Sequence, residues 1–259
     1  MGNYLTDEQL ALIKEELSLL YSLPYAIDLV GTAWEQVLAR AKGGVWTGKR
    51  DNRARPDVTT GEGEEQVRYS VKTEALRVTR DRGRATDFLG HKEDLIVARP
   101  KVDELLGDPG TLSGMPADEL GSLVLRFYND RIVRHYKWDV LSILLRVGNT
   151  EFIYWEERPV PLYDPPGYWW RDSDKATGGN RNINGYPLSV ARDTDPGTLP
   201  RARFKWTSGG KQFYVLYDIP KNADLFAISP LELTREEIRQ ALQTKLAEKL
   251  RAAGVALPT

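Results

Sequence analysis

The sequence predicts an α/β (α+β) fold, in which helices flank a mixed central β-sheet and a further β-rich part follows towards the C-terminus. Apolar residues recur with helical spacing in three segments, at 6–21, 27–41 and 116–136. The segment 139–147 is short and nearly all apolar, as a buried strand is, and a Gly148-Asn149 turn leads into a second strand at 151–157. A helix followed by a hydrophobic strand is typical of a mixed sheet covered by helices.

Two N-terminal helices are predicted from a cap and from apolar stripes. Thr6 and Gln9 have capping-box spacing, in which each side chain accepts a hydrogen bond from the backbone N–H of the other, and Pro24 ends the first helix. In the second helix Glu35 lies at the margin of the stripe, beside Trp34. The inward-facing residues of the two helices are Leu10, Ile13, Leu17, Leu20, Ile27, Val30, Trp34, Val37 and Ala41.

The rest of the chain is predicted to complete one domain over 1–259. A core at 1–158 precedes a polar-loop and basic-hairpin region at 159–230 and a C-terminal helix at 231–259. Thr234 and Glu237 form a second capping box, and the apolar face of this helix is expected to bury in the core or against a second subunit. The remaining elements are a short strand at 95–97, a helical turn at 102–106, a hairpin at 201–217 and a strand at 224–228.

The amino-acid composition of the chain excludes several classes of functional site. The chain of 259 residues contains no cysteine, which excludes disulfides, thiolate zinc sites and cysteine nucleophiles. Its two histidines, His91 and His135, are far apart in sequence, which argues against a histidine-rich metal site. Because no apolar run has the length of a membrane span and no signal-peptide pattern is present, we expect a cytoplasmic protein without a membrane partner.

The stretch 55–74 contains the main candidate site. Gly61 and Gly63 supply the positive φ that a tight turn needs, and the alternating segment after them is rich in β-formers. A hairpin folded between residues 63 and 64 brings Asp57 opposite Ser70. Because residues two apart on a strand share a face, Lys72 then projects from the same side. A carboxylate, a hydroxyl and an ammonium together suit a divalent metal and a phosphate.

Pro56-Asp57, a turn, and then Val71-Lys72 on the next strand resemble the PD-(D/E)xK core of type II restriction endonucleases. The resemblance covers about the first third of the chain. It departs from the family pattern at Ser70, where the second acid is expected, and is similar to the Ser-x-Lys variants that take a carboxylate from elsewhere. The resemblance implies a restriction-endonuclease-like sheet, with Asp57 binding Mg²⁺ and Lys72 acting on the attacking water.

The missing acid has three candidates. An early helix supplies an extra acid in several enzymes of this family, which favours Glu35. Glu74 shares a face with Ser70 and Lys72 by strand alternation, and Asp87 lies further downstream. The predicted metal ligands are therefore Asp57 with Glu35 or Glu74, and Ser70 is expected to be a secondary polar contact. For Glu35 the alternative is an ordinary surface glutamate.

Basic and polar residues near this hairpin and in the C-terminal half are candidates for DNA contact. Two basic segments, 48–55 and 77–84, bracket the hairpin although the net charge is −1. A polar loop at 171–186 and a hairpin with one apolar and one basic face, centred on 208–210, add further candidates. Solvated loops and a charge-protected sheet edge are the alternatives. The candidates are Arg53, Arg55, Arg80, Arg82, Arg171, Lys175, Arg181, Asn182, Arg203, Lys205 and Lys211.

These observations predict a Mg²⁺-dependent, sequence-specific double-stranded DNA endonuclease. By resemblance to restriction enzymes, a homodimer would cut both strands of a short palindrome and leave 5′-phosphate and 3′-hydroxyl ends. A DNA repair or junction nuclease belongs to the same class. Ser70, in place of an acid, favours a different class, which is a non-catalytic DNA-binding protein on a nuclease-like scaffold.

Overall fold

A computed structural model describes residues 4–23, 31–47, 56–79, 82–102, 111–173 and 180–252 of the chain. The α+β class is confirmed: helices pack with two β-sheets. The α-helices are α1 (Asp7–Tyr21), α2 (Gly31–Ala41), α3 (Thr111–Gly114), α4 (Ala117–Arg126) and α5 (Arg235–Ala252). A π-helical segment, Phe127–Arg134, continues α4, so the predicted third helix widens in its second half.

The first sheet is mixed, as the sequence predicted. Its strands lie in the order β1-β2-β3-β5-β6-β11, and β3 runs parallel to β5 while the other neighbours are antiparallel. A parallel pair needs a crossover connection, and α4 with its π-helical extension lies in that connection. The strands are β1 (Val45–Trp46), β2 (Val58–Thr60), β3 (Val67–Leu76), β5 (Val140–Val147), β6 (Glu151–Glu157) and β11 (Asp224–Ala227).

The second sheet is antiparallel and contains the β-rich part of the C-terminal half. Its strands lie in the order β4-β10-β9-β8-β7. The short strand predicted at 95–97 is longer and joins this sheet at one edge. The strands are β4 (Lys92–Ala98), β7 (Tyr168–Asp172), β8 (Asn182–Pro187), β9 (Phe204–Thr207) and β10 (Gln212–Asp218).

Alternate residues of β5 supply two separate cores. Val140 and Leu144 face α1 and α2, where they join Trp34 in one buried cluster. Leu141 and Ile143 face the opposite way, into a larger cluster formed with α4 and the inner face of the second sheet. The first sheet is therefore buried on both sides, which explains the continuous apolar run of β5.

A close contact around Trp170 joins α4 to the second sheet. A Cβ added to Gly121 of α4 would overlap the Trp170 indole, and one added to Gly185 of β8 would lie 2.8 Å from it. The indole therefore occupies space that the two glycines leave open. Trp170 itself is 3% exposed and belongs to the larger core cluster.

The stretch 171–186 was expected to be a polar loop, and for its ends this expectation is wrong. Residues of β7 and β8 pair in register from Tyr168↔Pro187 to Asp172↔Ile183, and 174–179 lie outside the described residues. Pairing with a tryptophan-rich strand outweighs the low apolar content of β8. The predicted helical turn at 102–106 falls largely outside the described residues.

The C-terminal helix α5 begins after the predicted capping box, in which Thr234 and Glu237 bond to each other's backbone and side-chain atoms. Leu242 on this helix is 66% exposed, so burial of this position in the core, one of the two expectations, is wrong. No helix among the described residues is long and apolar enough to cross a membrane.

Replacing Gly121 by alanine should destabilise the fold by about 1–3 kcal/mol, because the new methyl group overpacks against Trp170. Urea unfolding followed by tryptophan fluorescence measures the change. Gly83→Ala is the control, since no atom of a described residue lies within 4 Å of a Cβ built at Gly83. Equal stability of the two variants would contradict the packing described for Trp170.

Candidate functional site

The hairpin of β2 and β3 closes in the predicted register. Val58 pairs with Tyr69, and Thr60 pairs with Val67, which places the midpoint between residues 63 and 64. Gly61 and Gly63 adopt φ values of 68° and 57°, as the turn requires. The sequence therefore predicted correctly how Asp57 approaches β3.

Asp57 lies beside Ser70 and bonds to both of its neighbours. The Asp57 backbone N–H donates to the Tyr69 carbonyl at 2.9 Å, and the Val71 N–H donates to Asp57 Oδ2 at 2.7 Å. In the hydrogen-bond ladder between β2 and β3, Asp57 Oδ2 thus occupies the position that a backbone carbonyl oxygen would otherwise have. Asp57 Oδ1 accepts no hydrogen bond from any described residue.

Ser70, Lys72 and Glu74 share one face of β3, as predicted, because they pair in register with Leu141, Ile143 and Leu145 of the larger core. Ser70 is fully buried, and its Oγ has no hydrogen-bond partner in the described parts of the chain. Pairing with Leu141 turns the hydroxyl inward, and the secondary polar contact expected of Ser70 stays a prediction.

The Lys72 side chain is half-buried over an aromatic ring. Its Nζ lies 5.2 Å from the ring centroid of Trp138, the distance of a cation–π contact. Sequence reasoning missed Trp138, since it precedes β5 and reaches Lys72 only through the parallel pairing of β3 with β5. The ring limits where the ammonium can lie and keeps it close to β3.

Glu35 lies on the other face of the first sheet. It is 5% exposed, and its Oε2 accepts a hydrogen bond of 2.9 Å from the Trp46 indole. Trp46 pairs with Val58, the residue after Asp57. Glu35 therefore lies at the level of Asp57 along the strands, although α2 brings it from the helix-covered side.

Glu74 and Asp87, the two other candidate acids, fit a metal site beside Asp57 less well than Glu35 does. Glu74 is exposed and lies four residues beyond Ser70, which is roughly 13 Å along a strand. Asp87 caps a short turn: N–H groups of Arg84 and Gly83 donate to its Oδ2 and lower the pKa of the carboxyl. Position along the sheet thus favours Glu35 as the second carboxylate near Asp57.

Among the described residues, no group of three or more histidine, aspartate or glutamate side chains could hold a metal ion. The three acids Asp57, Glu35 and Glu74 therefore do not assemble into one cluster. Mg²⁺ is commonly held by one or two carboxylates together with substrate phosphate oxygens, so a site of this kind needs fewer than three acids. The pair of Asp57 with one glutamate stays a prediction.

Several basic residues that were expected to contact DNA instead bond to other groups of the protein. Arg181 donates to the Leu112 and Met115 carbonyls and to both oxygens of Asp172. Arg82 lies 3.8 Å from Glu93. Arg171 and Asn182 lie half-buried on β7 and β8. Arg53, Arg55, Arg80 and Lys175 lie outside the described residues.

The basic hairpin forms as predicted from β9 and β10, but its charges are largely paired. Arg203 donates to the Leu216 carbonyl and lies near the rings of Tyr163, Phe204 and Tyr217. Lys205 lies 2.5 Å from Asp94 of β4, and Lys211 occupies the turn with a φ of 50°. The acid belongs to a strand far away in sequence, so the local pattern did not reveal it.

A buried polar network on the α1 and α2 side was also missed. Lys42 Nζ lies 2.8 Å from Glu156 Oε1, Tyr154 donates to the same carboxylate oxygen, and Ser142 donates to the Tyr154 hydroxyl. Burial and the Glu156 charge raise the pKa of Tyr154 well above its usual value. The one signal in the sequence is Ser142, a polar residue inside the apolar run of β5.

Known protein families, curated proteins and solved structures were each compared with the chain, and none of them matches it. The site is therefore interpreted from its own residues and geometry.

Lys42→Met should lower the free energy of unfolding by about 3 kcal/mol, because it leaves Glu156 charged and mostly buried without a cation. Adding Glu156→Gln should restore part of that loss, since the amide carries no charge. Chemical denaturation gives the free energy of unfolding of the wild type, of Lys42→Met and of the double variant.

Arg40→Met serves as the control for this series. Its pair with Glu16 is more exposed, at 52% and 22%, and such pairs contribute about 0–1 kcal/mol. An equal loss of stability in Lys42→Met and Arg40→Met would show that the Lys42 pair is no more important than a surface pair.

Proposed function

We propose that this chain is a Mg²⁺-dependent DNA endonuclease with a PD-(D/E)xK-like site, similar to type II restriction enzymes. The observation that carries the proposal is the hydrogen bond between Asp57 Oδ2 and the Val71 N–H. It holds a carboxylate against β3 immediately beside Lys72. An acid and a lysine on neighbouring strands are the two groups that the resemblance requires.

One edge of β3 would give this pair access to a substrate. Beyond Asp57, no described strand pairs with the β2 side of β3, whereas β5 pairs with its other side from Tyr69 to Leu76. At an edge without a paired strand, side chains from both faces of a sheet can approach one group. Glu35 from the α2 face and Lys72 from the opposite face would both reach a phosphate bound there.

Asp57 and Glu35 would hold the metal ion. Asp57 Oδ1 has no hydrogen-bond donor among the described residues, and Glu35 is fixed by Trp46, as metal-ligating carboxylates commonly are by a neighbouring donor. A bound Mg²⁺ supplies Lewis-acid polarisation of a phosphoryl oxygen and a more acidic water. Two carboxylates fit a cation that also uses phosphate oxygens and water as ligands.

Lys72 would orient the attacking water and offset the negative charge that builds on the phosphate. Its contact with Trp138 limits the positions of the ammonium, so less conformational entropy is lost when substrate binds. Half-burial also strengthens its interaction with an anion compared with a fully solvated lysine.

The partner in this proposal is double-stranded DNA, read by a cytoplasmic homodimer that cuts both strands. The exposed Leu242 on α5 supports association through the C-terminal helix. Of the residues expected to contact DNA, Arg171, Asn182 and Lys205 lie together on the outer face of the second sheet. A repair or junction nuclease would use the same site on a different DNA shape.

A non-catalytic DNA-binding protein is the second candidate. Ser70 stands where an acid is expected and is fully buried, which leaves β3 without its own metal ligand at that position. The described residues also contain no cluster of three acids. On this alternative, the same surface would bind DNA without cutting it.

The first test is Mg²⁺-dependent cleavage. Incubation with a long DNA of mixed sequence should give discrete fragments in Mg²⁺ and intact DNA in EDTA. Lys72→Ala should reduce the cleavage rate about 100-fold or more while DNA binding persists, because binding depends on many phosphate contacts.

Lys92→Ala, at an exposed lysine of β4, is the matched control and should cut normally. Normal cutting by Lys72→Ala would mean that the site assignment is wrong. DNA that is retarded but intact with every protein would support the binding protein instead.

A second test compares the two candidate glutamates. Glu35→Gln should reduce cleavage strongly, because an amide is a poor Mg²⁺ ligand, whereas it can still accept the Trp46 hydrogen bond and keep the fold. Glu74→Gln should cut within about twofold of wild type, since Glu74 lies roughly 13 Å further along β3. The reverse result would assign the metal to Glu74.

A further inference from the structure

The outer face of the second sheet presents polar side chains in a row. Arg171, Asn184, Lys205 and Tyr214 are register partners across β7, β8, β9 and β10. The inner face of the same strands is core, with Ile183, Phe204 and Trp206 among its buried residues. A concave pocket of about 280 Å³ lies on the outer face, at the middle strands.

The pocket contains polar groups that lack partners within the described parts of the chain. Asp94 Oδ2 accepts from Arg201 and Lys205, but Asp94 Oδ1 is buried and has no hydrogen-bond partner among the described residues. The side-chain amides of Asn182 and Asn184 make no hydrogen bond to a described residue. A buried polar atom without a hydrogen-bond partner costs free energy, so a hydrogen bond donated to Asp94 Oδ1 would be stabilising.

We propose that this pocket takes one unstacked nucleobase with an exocyclic amino group, adenine above all, from a DNA strand bound at the β3 edge. The asparagine amides match the paired donor and acceptor of the adenine edge, and the Asp94 carboxylate beside them favours an amino group over a carbonyl. The half-buried Tyr214 ring offers a stacking surface. The volume is small for a ligand pocket and suits a single base.

The base must leave the duplex to reach this position. The major groove is about 12 Å wide and admits a two-stranded ribbon, whereas the pocket lies at the centre of a five-stranded sheet with neighbours about 4.8 Å apart. Enzymes that read an extruded base use hydrogen bonds to its edge and aromatic stacking. The residues of the pocket supply both.

The pocket lies near the end of β3 that is further from Asp57. Burial is the main cause that raises the pKa of Tyr214, and the charge of Glu74 on β3 is the next. Glu74 lies roughly 13 Å beyond the level of Asp57 along the strand. A DNA strand that extends from Asp57 along β3 would contact both sites, and this inference rests on the proposed function.

The test uses two short duplexes in EDTA, one with a single unpaired adenosine and one with an abasic residue at that place. Wild type should bind the adenosine duplex about tenfold more tightly. The variant Asn184→Ala should lose this preference and keep its affinity for the abasic duplex, where only phosphates are contacted. Asn149→Ala, an exposed asparagine in the β5–β6 turn, is the control and should behave as wild type.

The outcomes separate this inference from the proposed function. Equal binding of both duplexes by wild type, an unchanged preference in Asn184→Ala, or no binding to either duplex overturns the base pocket but leaves Mg²⁺-dependent cleavage untouched. A base preference in EDTA, together with intact DNA in the Mg²⁺ incubation described above, supports the pocket and overturns the nuclease.

Discussion

Burial of both faces of β5 is the constraint on which the rest of the structure depends. One face packs on α1 and α2 and the other on α4 and the second sheet, so the strand must lie in the centre. Its parallel pairing with β3 requires the crossover that α4 provides. A slip of one residue would exchange the two faces and turn the Ser142 hydroxyl away from Tyr154, so the register is strongly fixed.

Local chemistry was sufficient to predict much of this fold. The capping boxes at Thr6 and Thr234 located two helix starts, and the glycines at 61 and 63 set the register of β2 on β3. The strand β8 could not be recognised in the same way. Its strand character depends on pairing with β7 and on the space that Gly185 leaves for Trp170, and both are tertiary effects.

The candidate site shows the same division between local and tertiary information. The approach of Asp57 to β3 follows from the turn, whereas the choice between Glu35 and Glu74 depends on where α2 crosses the sheet. Partners of the basic residues were also hidden, because Asp94 comes from β4 and pairs with Lys205 only across β10. A run of positive charge in a sequence therefore does not identify which charges remain free for a ligand.

The position of Trp170 between two glycines has a mechanical consequence. Its indole leaves no clearance against α4 or β8, so the second sheet cannot slide over the helix without first displacing that ring. The helix α4 also packs against Leu141 and Ile143 of β5, which pairs with β3. A shift of the second sheet, caused by a bound molecule, would therefore be transmitted to the strands that position Asp57 and Lys72. Rigid coupling of this kind would make the two sheets respond as one body.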